Sequence, residues 1–421
     1  MEDEELNLMM LLNCGAFMTI IESGKTKLRR RRPCHWVSPY LKARNEKGRF
    51  FTDFKNLRND PTRFIENFRM PPSVFDELWE ILEPHLLPKR NTRPNDFIPT
   101  KAKLAIVLEY LASGDIQRHI ASCYRISKQH FGRIVSDVCK GICSVLKNEI
   151  PDWTEHSLLE ISNCFRTQWN FPNCVGAIDG KHIAIKAPPK SGSIFYNYKG
   201  FHSIVLMATC DANYKFTYVD VGAYGSEGDS NIMKNSRFGI SILNDSCQFP
   251  ADGFIDGKKV PYFIVGDDAF PLCKRIIKPY NSKHLSKEEQ IFNYRLSRAR
   301  RCIENAFGIL SAKWLCLRKV LFCHPDRARS IVSACCLLHN FLINKCGQTY
   351  NPPIFSGFEG IDGFWESGEW ETIQQQEGPL NDLGTYRGRA SDYGKYVRNV
   401  LKDYVNSTSG SVPWQNNATF L

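Results

Sequence analysis

From Pro61 to about Trp169, apolar residues recur at the three- and four-residue spacing of amphipathic helices, with proline breaks around Pro84 to Pro99. Within this region Ile120, Tyr124, Ile126, Phe131 and Ile134 are apolar, and Ala121 is small where two helices would meet. Ser127 stands where it could cap a second helix. The spacing predicts a helix-turn-helix-like hairpin over 116–138 whose second helix presents Lys128, Gln129, His130 and Arg133 outward, residue types suited to base edges and phosphates in a major groove. Arg125 occupies the turn where such motifs often place glycine, and a plain helical hairpin packed on the next domain has the same pattern.

Beyond Cys174 the texture changes. Cys174–Ile178, Ile183–Ala187, Ser203–Cys210, Phe216–Ala223 and Tyr262–Val265 read as strands, and Asp229–Phe238 reads as a helix. Leu296, Ala299, Cys302, Ile303, Ala306, Phe307 and Leu310 mark one face of a long helix, and Tyr393, Val397, Val400, Leu401 and Tyr404 mark a last one. Several β segments, a helix, a further strand and a closing helix predict an α/β fold, a mixed sheet with flanking helices in the order of a ribonuclease-H-like core, preceded by an all-helical region. Residues 347–382 hold seven acidic side chains and no lysine or arginine, and predict a loop of low order.

The candidate chemistry sits at the edges of this pattern. Asp179 and Asp267 each follow a short apolar run and are expected where a buried strand ends; Glu304 lies at the margin of the apolar stripe on the long helix. Carboxylates converging from two strands and a helix supply the hard oxygen ligands that Mg²⁺ prefers, and a two-ion site about 3.5–4 Å across suits phosphodiester chemistry. Each acid alone also has a structural reading: aspartate before glycine is a turn signal, and Arg300 and Glu304 are spaced as an ordinary i,i+4 surface pair.

The chain has 421 residues, 43% of them hydrophobic, enough for two or three domains of about 150 residues. Its formal charge of +11 favours a polyanionic partner, nucleic acid more than a small anion. Sixteen cysteines scattered through apolar segments read as reduced intracellular thiols. Leu6–Ile21 is mostly apolar but follows acidic residues and is interrupted by Asn7, Asn13 and Gly15, so it reads as a partner-binding helix rather than a signal peptide or membrane span. Lys27–Pro33, KLRRRRP, reads as a nuclear import signal, an arm on DNA or a solvated charge run. Cys335, Cys336 and His339 lie on one apolar helical stretch with no second ligand pair, which points to core packing over zinc, and His182 and His202 read as structural.

These residues form a string of motifs: IDGKHIAIKAP at 178–188, YNYKGFHSIVLMATCD at 196–211, GSEGDSNI at 225–232, GDDAFPL at 266–272, RARRCIENAFGIL at 298–310 and CCLLHNFLI at 335–343. The string resembles the PIF/Harbinger transposases and their domesticated nuclease relatives over roughly 155–345. The resemblance implies a ribonuclease-H-like fold, Mg²⁺ or Mn²⁺ dependence, and an Asp-Asp-Glu triad at Asp179, Asp267 and Glu304. Steps of 88 and 37 residues separate the three. The motif Gly-Asp-variable-small-aromatic selects Asp267 over Asp268. Asp229, in GSEGDS, is a further candidate for metal or DNA, with helix capping as its simpler role. Lys181, where relatives often carry threonine, is a candidate phosphate contact, as are Arg298, Arg300 and Arg301 on the helix of Glu304.

The expected organisation is a basic arm over 1–60, a helical DNA-binding region over 61–165, a nuclease domain over 166–345, and an acidic loop with a final helix over 346–421. The expected function is that of a metal-dependent DNA endonuclease or transposase acting on double-stranded DNA in the nucleus, with some cytoplasmic presence, no membrane, and compatibility with an oligomer. The resemblance adds a Myb-like or MADF-type protein partner. The alternative is a domesticated, non-cleaving DNA-binding or chromatin-associated protein that retains the transposase fold.

Overall fold

The computed structural model describes residues 37–88, 97–360, 363–374 and 390–420. Leu6–Ile21, Lys27–Pro33 and residues 375–382 of the acidic stretch lie outside the described residues. Met1–Ala43 forms a unit by itself, of which 37–43 are described and include a helical turn at Pro39–Lys42; Arg44–Leu421 forms the other. Among the described residues no helix is long and apolar enough to cross a membrane.

Helices of seven residues or more are numbered in chain order. The helical half comprises α1 (Pro61–Phe68), α2 (Pro72–Leu86), α3 (Thr100–Ser113), α4 (Gln117–Cys123), α5 (Lys128–Val145) and α6 (Glu155–Trp169). Phe54, Phe64, Phe68 and Phe75 cluster edge-on and tilted at one end of it, with centroids 4.7–5.8 Å apart. Leu104 to Ala112 of α3 are buried all round, as a helix with no polar face must be. Gly114 ends α3 at φ +61, where a Cβ would lie 2.8 Å from the Leu315 backbone.

Between α4 and α5 the turn is pinned from inside. Tyr124 donates its hydroxyl to the buried Glu109 at 2.5 Å, and Arg49 closes on the other oxygen at 2.5 Å. Arg125 takes the left-handed conformation, φ 49, at the position expected for glycine. Ser127 caps α5 by accepting from the His130 N–H. The buried face of α5 packs on the helix Pro325–Cys346 of the α/β half, leaving Lys128, Gln129, His130 and Arg133 exposed.

The α/β half holds β1 (Cys174–Ala184), β2 (Ser203–Cys210), β3 (Phe216–Tyr224), α7 (Asp229–Asn235), α8 (Arg237–Leu243), the hairpin β4 (Gly253–Ile255) and β5 (Lys258–Val260), β6 (Phe263–Val265), β7 (Ile276–Ile277), α9 (Lys287–Lys313) and α10 (Pro325–Cys346). A final α11 spans Asp392–Val405. The five-stranded sheet runs β3-β2-β1-β6-β7, antiparallel between β1, β2 and β3 and parallel from β1 through β7. Every residue of β2 is buried, because helices cover both faces. On one face Ile204, Leu206 and Ala208 share an apolar core with Cys302, Ile303 and Ala306 of α9; on the other Val205 and Met207 share a second with Ile232 and Met233 of α7. The expected mixed α/β sheet with flanking helices is what forms.

Two expectations need correction. Cys174–Ile178 and Ile183–Ala187 are not separate strands. The antiparallel ladder with β2 runs unbroken from Ala177 to Ala184, so Asp179 stands mid-strand rather than at a strand end. The acidic stretch is also not simply a loop. Its described part forms helical turns at 347–349 and 353–356, a small hairpin pairing Phe358–Glu359 with Trp365–Glu366, and a helix at 369–374. Composition hid the reason: Trp370 is buried against α9 at Gly308, where a Cβ would lie 2.3 Å from the indole.

Candidate active site

The site is assembled by strand register. Ala177 of β1 pairs with Val265 of parallel β6, so Asp179 and Asp267, each two residues further on, reach the same level at the end of β6. Both carboxylates are held locally. Asp179 accepts from the Gly180 N–H at 2.8 Å, and Asp267 accepts from the Ala269 N–H at 2.9 Å. Asp268 faces other partners, Lys278 at 2.9 Å and Asn281 at 3.3 Å.

A third aspartate enters from the opposite face. Asp229 is the first residue of α7 and is 1% exposed, yet neither carboxylate oxygen has a hydrogen-bond partner. It packs against Gly180, where a Cβ would lie 2.3 Å from Oδ1. The capping role is therefore corrected: Gly228 occupies the cap position, and the Asp229 side chain makes no cap hydrogen bond because it turns into the sheet. Burial, then the charges of Asp179 and Asp267, push the Asp229 carboxyl up to about 8. Burial and then Asp267 likewise push Asp179 up to about 7, against the opposing pull of Arg300.

Glu304 projects from α9 and is within electrostatic reach of Asp179. It is engaged by Arg300 one turn earlier, at 2.5 Å, with the glutamate 42% and the arginine 22% exposed. Among the described residues no three acidic, histidine or cysteine side chains stand close enough to enclose a metal ion. The repulsion among these acids thus acts over longer distances than ligand bonds.

The donor set nevertheless fits a hard divalent cation. Asp229 has two buried oxygens without a donor, burial and then neighbouring carboxylates raise both Asp179 and Asp229, and the groups present are carboxylates, the oxygen ligands that such ions take.

The residues expected to contact DNA fall in different settings. Arg298 is corrected: it is 1% exposed, donates to Glu359 at 2.7 Å and to the Trp169 carbonyl at 3.3 Å, and so ties α9 to the hairpin and to the end of α6. Arg301 lies 4.5 Å over the Trp365 ring, and Lys181 reaches 6.0 Å over Phe307. Arg300 stays beside the acids through Glu304, while Lys128, Gln129 and Arg133 are exposed on α5.

The histidines behave structurally. His182 bonds Ser203 through Nδ1 at 2.9 Å, and burial pulls it down to about 4. His339 is buried between the Tyr350 hydroxyl at 3.2 Å and the Tyr214 carbonyl at 2.9 Å, and Cys335 and Cys336 are buried beside it in the core.

One feature was missed from the sequence: the connection from β1 to β2, residues 186–202, carries exposed aromatic rings beside His182. Its signal was the alternation Tyr196-Asn197-Tyr198-Lys199, in which a buried polar residue separates two aromatic ones.

Two aspartates lined up by register in a mixed sheet, a third from the facing helix and a glutamate on the closing one define an α/β domain with an acidic candidate site. Residues 178–340 of the chain, from mid-β1 into α10, match the DDE superfamily endonuclease family. Its relatives include the protein Antagonist of Like Heterochromatin Protein 1 of Arabidopsis thaliana, 27% identical over 67% of this chain and 71% of its own length. An ALP1-like protein of the same plant is 28% identical over 69% and 73%. HARBI1 of Homo sapiens, whose nuclease name is itself provisional, is 25% identical over 69% of this chain and 80% of its own. No solved structure matches.

Proposed function

We propose that the protein is a metal-dependent DNA endonuclease or transposase of the PIF/Harbinger type, built on a ribonuclease-H-like core and acting in the nucleus. The observation that carries this reading is the shared level of Asp179 and Asp267, with the unpartnered carboxylate of Asp229 packed against Gly180 behind them. Asp179, Asp267 and Glu304, with Asp229 as a further ligand, would hold Mg²⁺ or Mn²⁺. A cation there supplies positive charge that activates water and steadies the leaving oxygen of a phosphodiester.

The chain's own residues do the rest. The Gly180 and Ala269 N–H groups orient the two aspartates. Arg300 holds Glu304 aside until a phosphate competes for its guanidinium, a bidentate exchange for which arginine is well shaped. Lys128, Gln129 and Arg133 on α5 supply a second, outward DNA-contacting face, and Lys181 and Arg301 add positive potential near the acids. A Myb-like or MADF-type partner and an oligomeric assembly belong to the same reading.

A second reading is favoured by two observations: one relative is named for antagonising a heterochromatin protein, and Glu304 is engaged by Arg300. It is a domesticated, non-cleaving DNA-binding or chromatin-associated protein. Divalent-dependent nicking of plasmid DNA by purified protein, beside Asp179→Asn, separates the two. Nicking by wild type alone supports the nuclease. Equal inertness with intact DNA binding by both proteins supports the second reading.

A further inference from the structure

The connection between β1 and β2 is an unusual surface: aromatic, basic and rigid together. Ile194, Tyr196 and Tyr198 are 48%, 48% and 52% exposed, and Tyr224 at the end of β3 is 45% exposed. Residues 186–202 include Lys186, Lys190 and Lys199 and no acidic residue. Large exposed rings on a loop need an explanation, since an apolar face left in water is unfavourable.

The rings do not come from a floppy segment. Asn197 is 2% exposed and organises the turn from inside. Its Oδ1 accepts from the N–H groups of Lys199 at 3.0 Å and Phe201 at 3.2 Å, and its Nδ2 donates to Ser203 at 2.9 Å. Its own N–H and carbonyl bond Phe201 and Gly200, and Gly200 supplies the left-handed φ of 84 that closes the turn. The backbone that carries Tyr196 and Tyr198 is thereby set by a buried polar hub. Tyr198 stands edge-on to His182 at 5.7 Å, three residues along β1 from Asp179. Lys199 acts electrostatically on both His182 and Asp229, which places this surface beside the acids.

Resting on the proposed reading of the acidic site, we infer that the Tyr196–Lys199 turn is a stacking platform for an unpaired nucleotide next to the scissile phosphate. A π-face takes any base, and Lys199, whose Nζ lies 5.5 Å over the Tyr198 ring, adds a positive charge that favours the attached phosphate. A base pair inside a duplex presents only its edges, so a ring exposed on a rigid turn selects a strand that is splayed or frayed at the cut. The platform therefore prefers single-stranded or end-frayed DNA over continuous duplex.

The test uses the full chain, with EDTA present, and fluorescence anisotropy with two probes: a labelled oligothymidylate of about 20 nucleotides and a duplex of about the same length. Tyr198→Ala is expected to weaken oligothymidylate binding about tenfold and duplex binding less than about twofold, with Tyr198→Phe close to wild type. An equal loss on both probes, or no loss on either, overturns the platform, as does a Tyr198→Phe protein as weak as Tyr198→Ala. Binding of oligothymidylate through Tyr198 by a protein that never nicks DNA with Mg²⁺ or Mn²⁺ keeps the platform and sinks the nuclease reading. A wild type that binds neither probe overturns both.

Discussion

The carboxylate of Asp229 lies against the Cα of Gly180, so that a Cβ at position 180 would stand 2.3 Å from Oδ1. Sheet and helix meet there without a side chain between them, and both oxygens are left without a donor. A buried unpartnered carboxylate is destabilising until a proton or a cation satisfies it.

Metal should therefore stabilise the wild-type protein, and Asp229 should decide how much. In EDTA, Asp229→Asn is expected to be more stable than wild type by on the order of 1–3 kcal/mol. With Mn²⁺ added, the melting temperature should rise in wild type and stay flat in Asp229→Asn. Gly180→Ala, which forces the carboxylate away, should also lose the Mn²⁺-dependent rise. Equal rises in all three proteins would remove Asp229 from the metal site.

Arg298 and Glu359 form a pair in which the arginine side chain is 1% and the glutamate 18% exposed. Glu359→Gln leaves the guanidinium largely buried without its counter-charge and should cost about 2–4 kcal/mol, read as a lower urea midpoint. Replacing both residues by methionine should recover part of that loss. A change under about 0.5 kcal/mol in Glu359→Gln would show that the pair is worth no more than an exposed one.

His339 sets a pH dependence away from the acidic site. Its Nε2 faces the Tyr214 carbonyl and so carries the proton, while Nδ1 accepts from Tyr350; burial holds its pKa down at about 4. A histidine whose folded pKa is depressed binds its proton more readily when unfolded. Stability is then fully present above about 6.5 and is lost as pH falls toward 4, by up to about 3 kcal/mol. Urea denaturation at stepped pH should show this slope in wild type, and a flatter one in His339→Gln. Parallel slopes in the two proteins would assign the acid sensitivity elsewhere.

The exposed face of α5 predicts a salt signature. Alanine at Lys128, Gln129 and Arg133 together should weaken duplex binding and reduce the slope of log affinity against log salt by about 2, one for each cation removed. Unchanged affinity and slope at two salt concentrations would leave α5 as a packing helix only.

Much of the candidate site was legible in the chain because its signals are local. The apolar runs before Asp179 and Asp267, the helical spacing around Glu304 and the serine before α5 each depend on neighbours within a few residues. The misreadings came from contacts that are distant in sequence. Asp179 was expected at a strand end, but the ladder with β2 carries the strand onward. Arg298 looked like a solvent-facing phosphate contact, yet Glu359, 61 residues away, draws it inward. The acidic stretch looked unstructured on composition, although Trp370 had a groove waiting at Gly308.

The sequence by itself determined most of the elements, the mixed α/β pattern and which acids are candidates, since periodicity and turn chemistry act over one or two turns of chain. Only the tertiary structure decided which acids face one another, which are already paired, and which aromatic residues remain outside. Those outcomes depend on strand register and on burial, and both arise when segments far apart in the chain exclude water from each other.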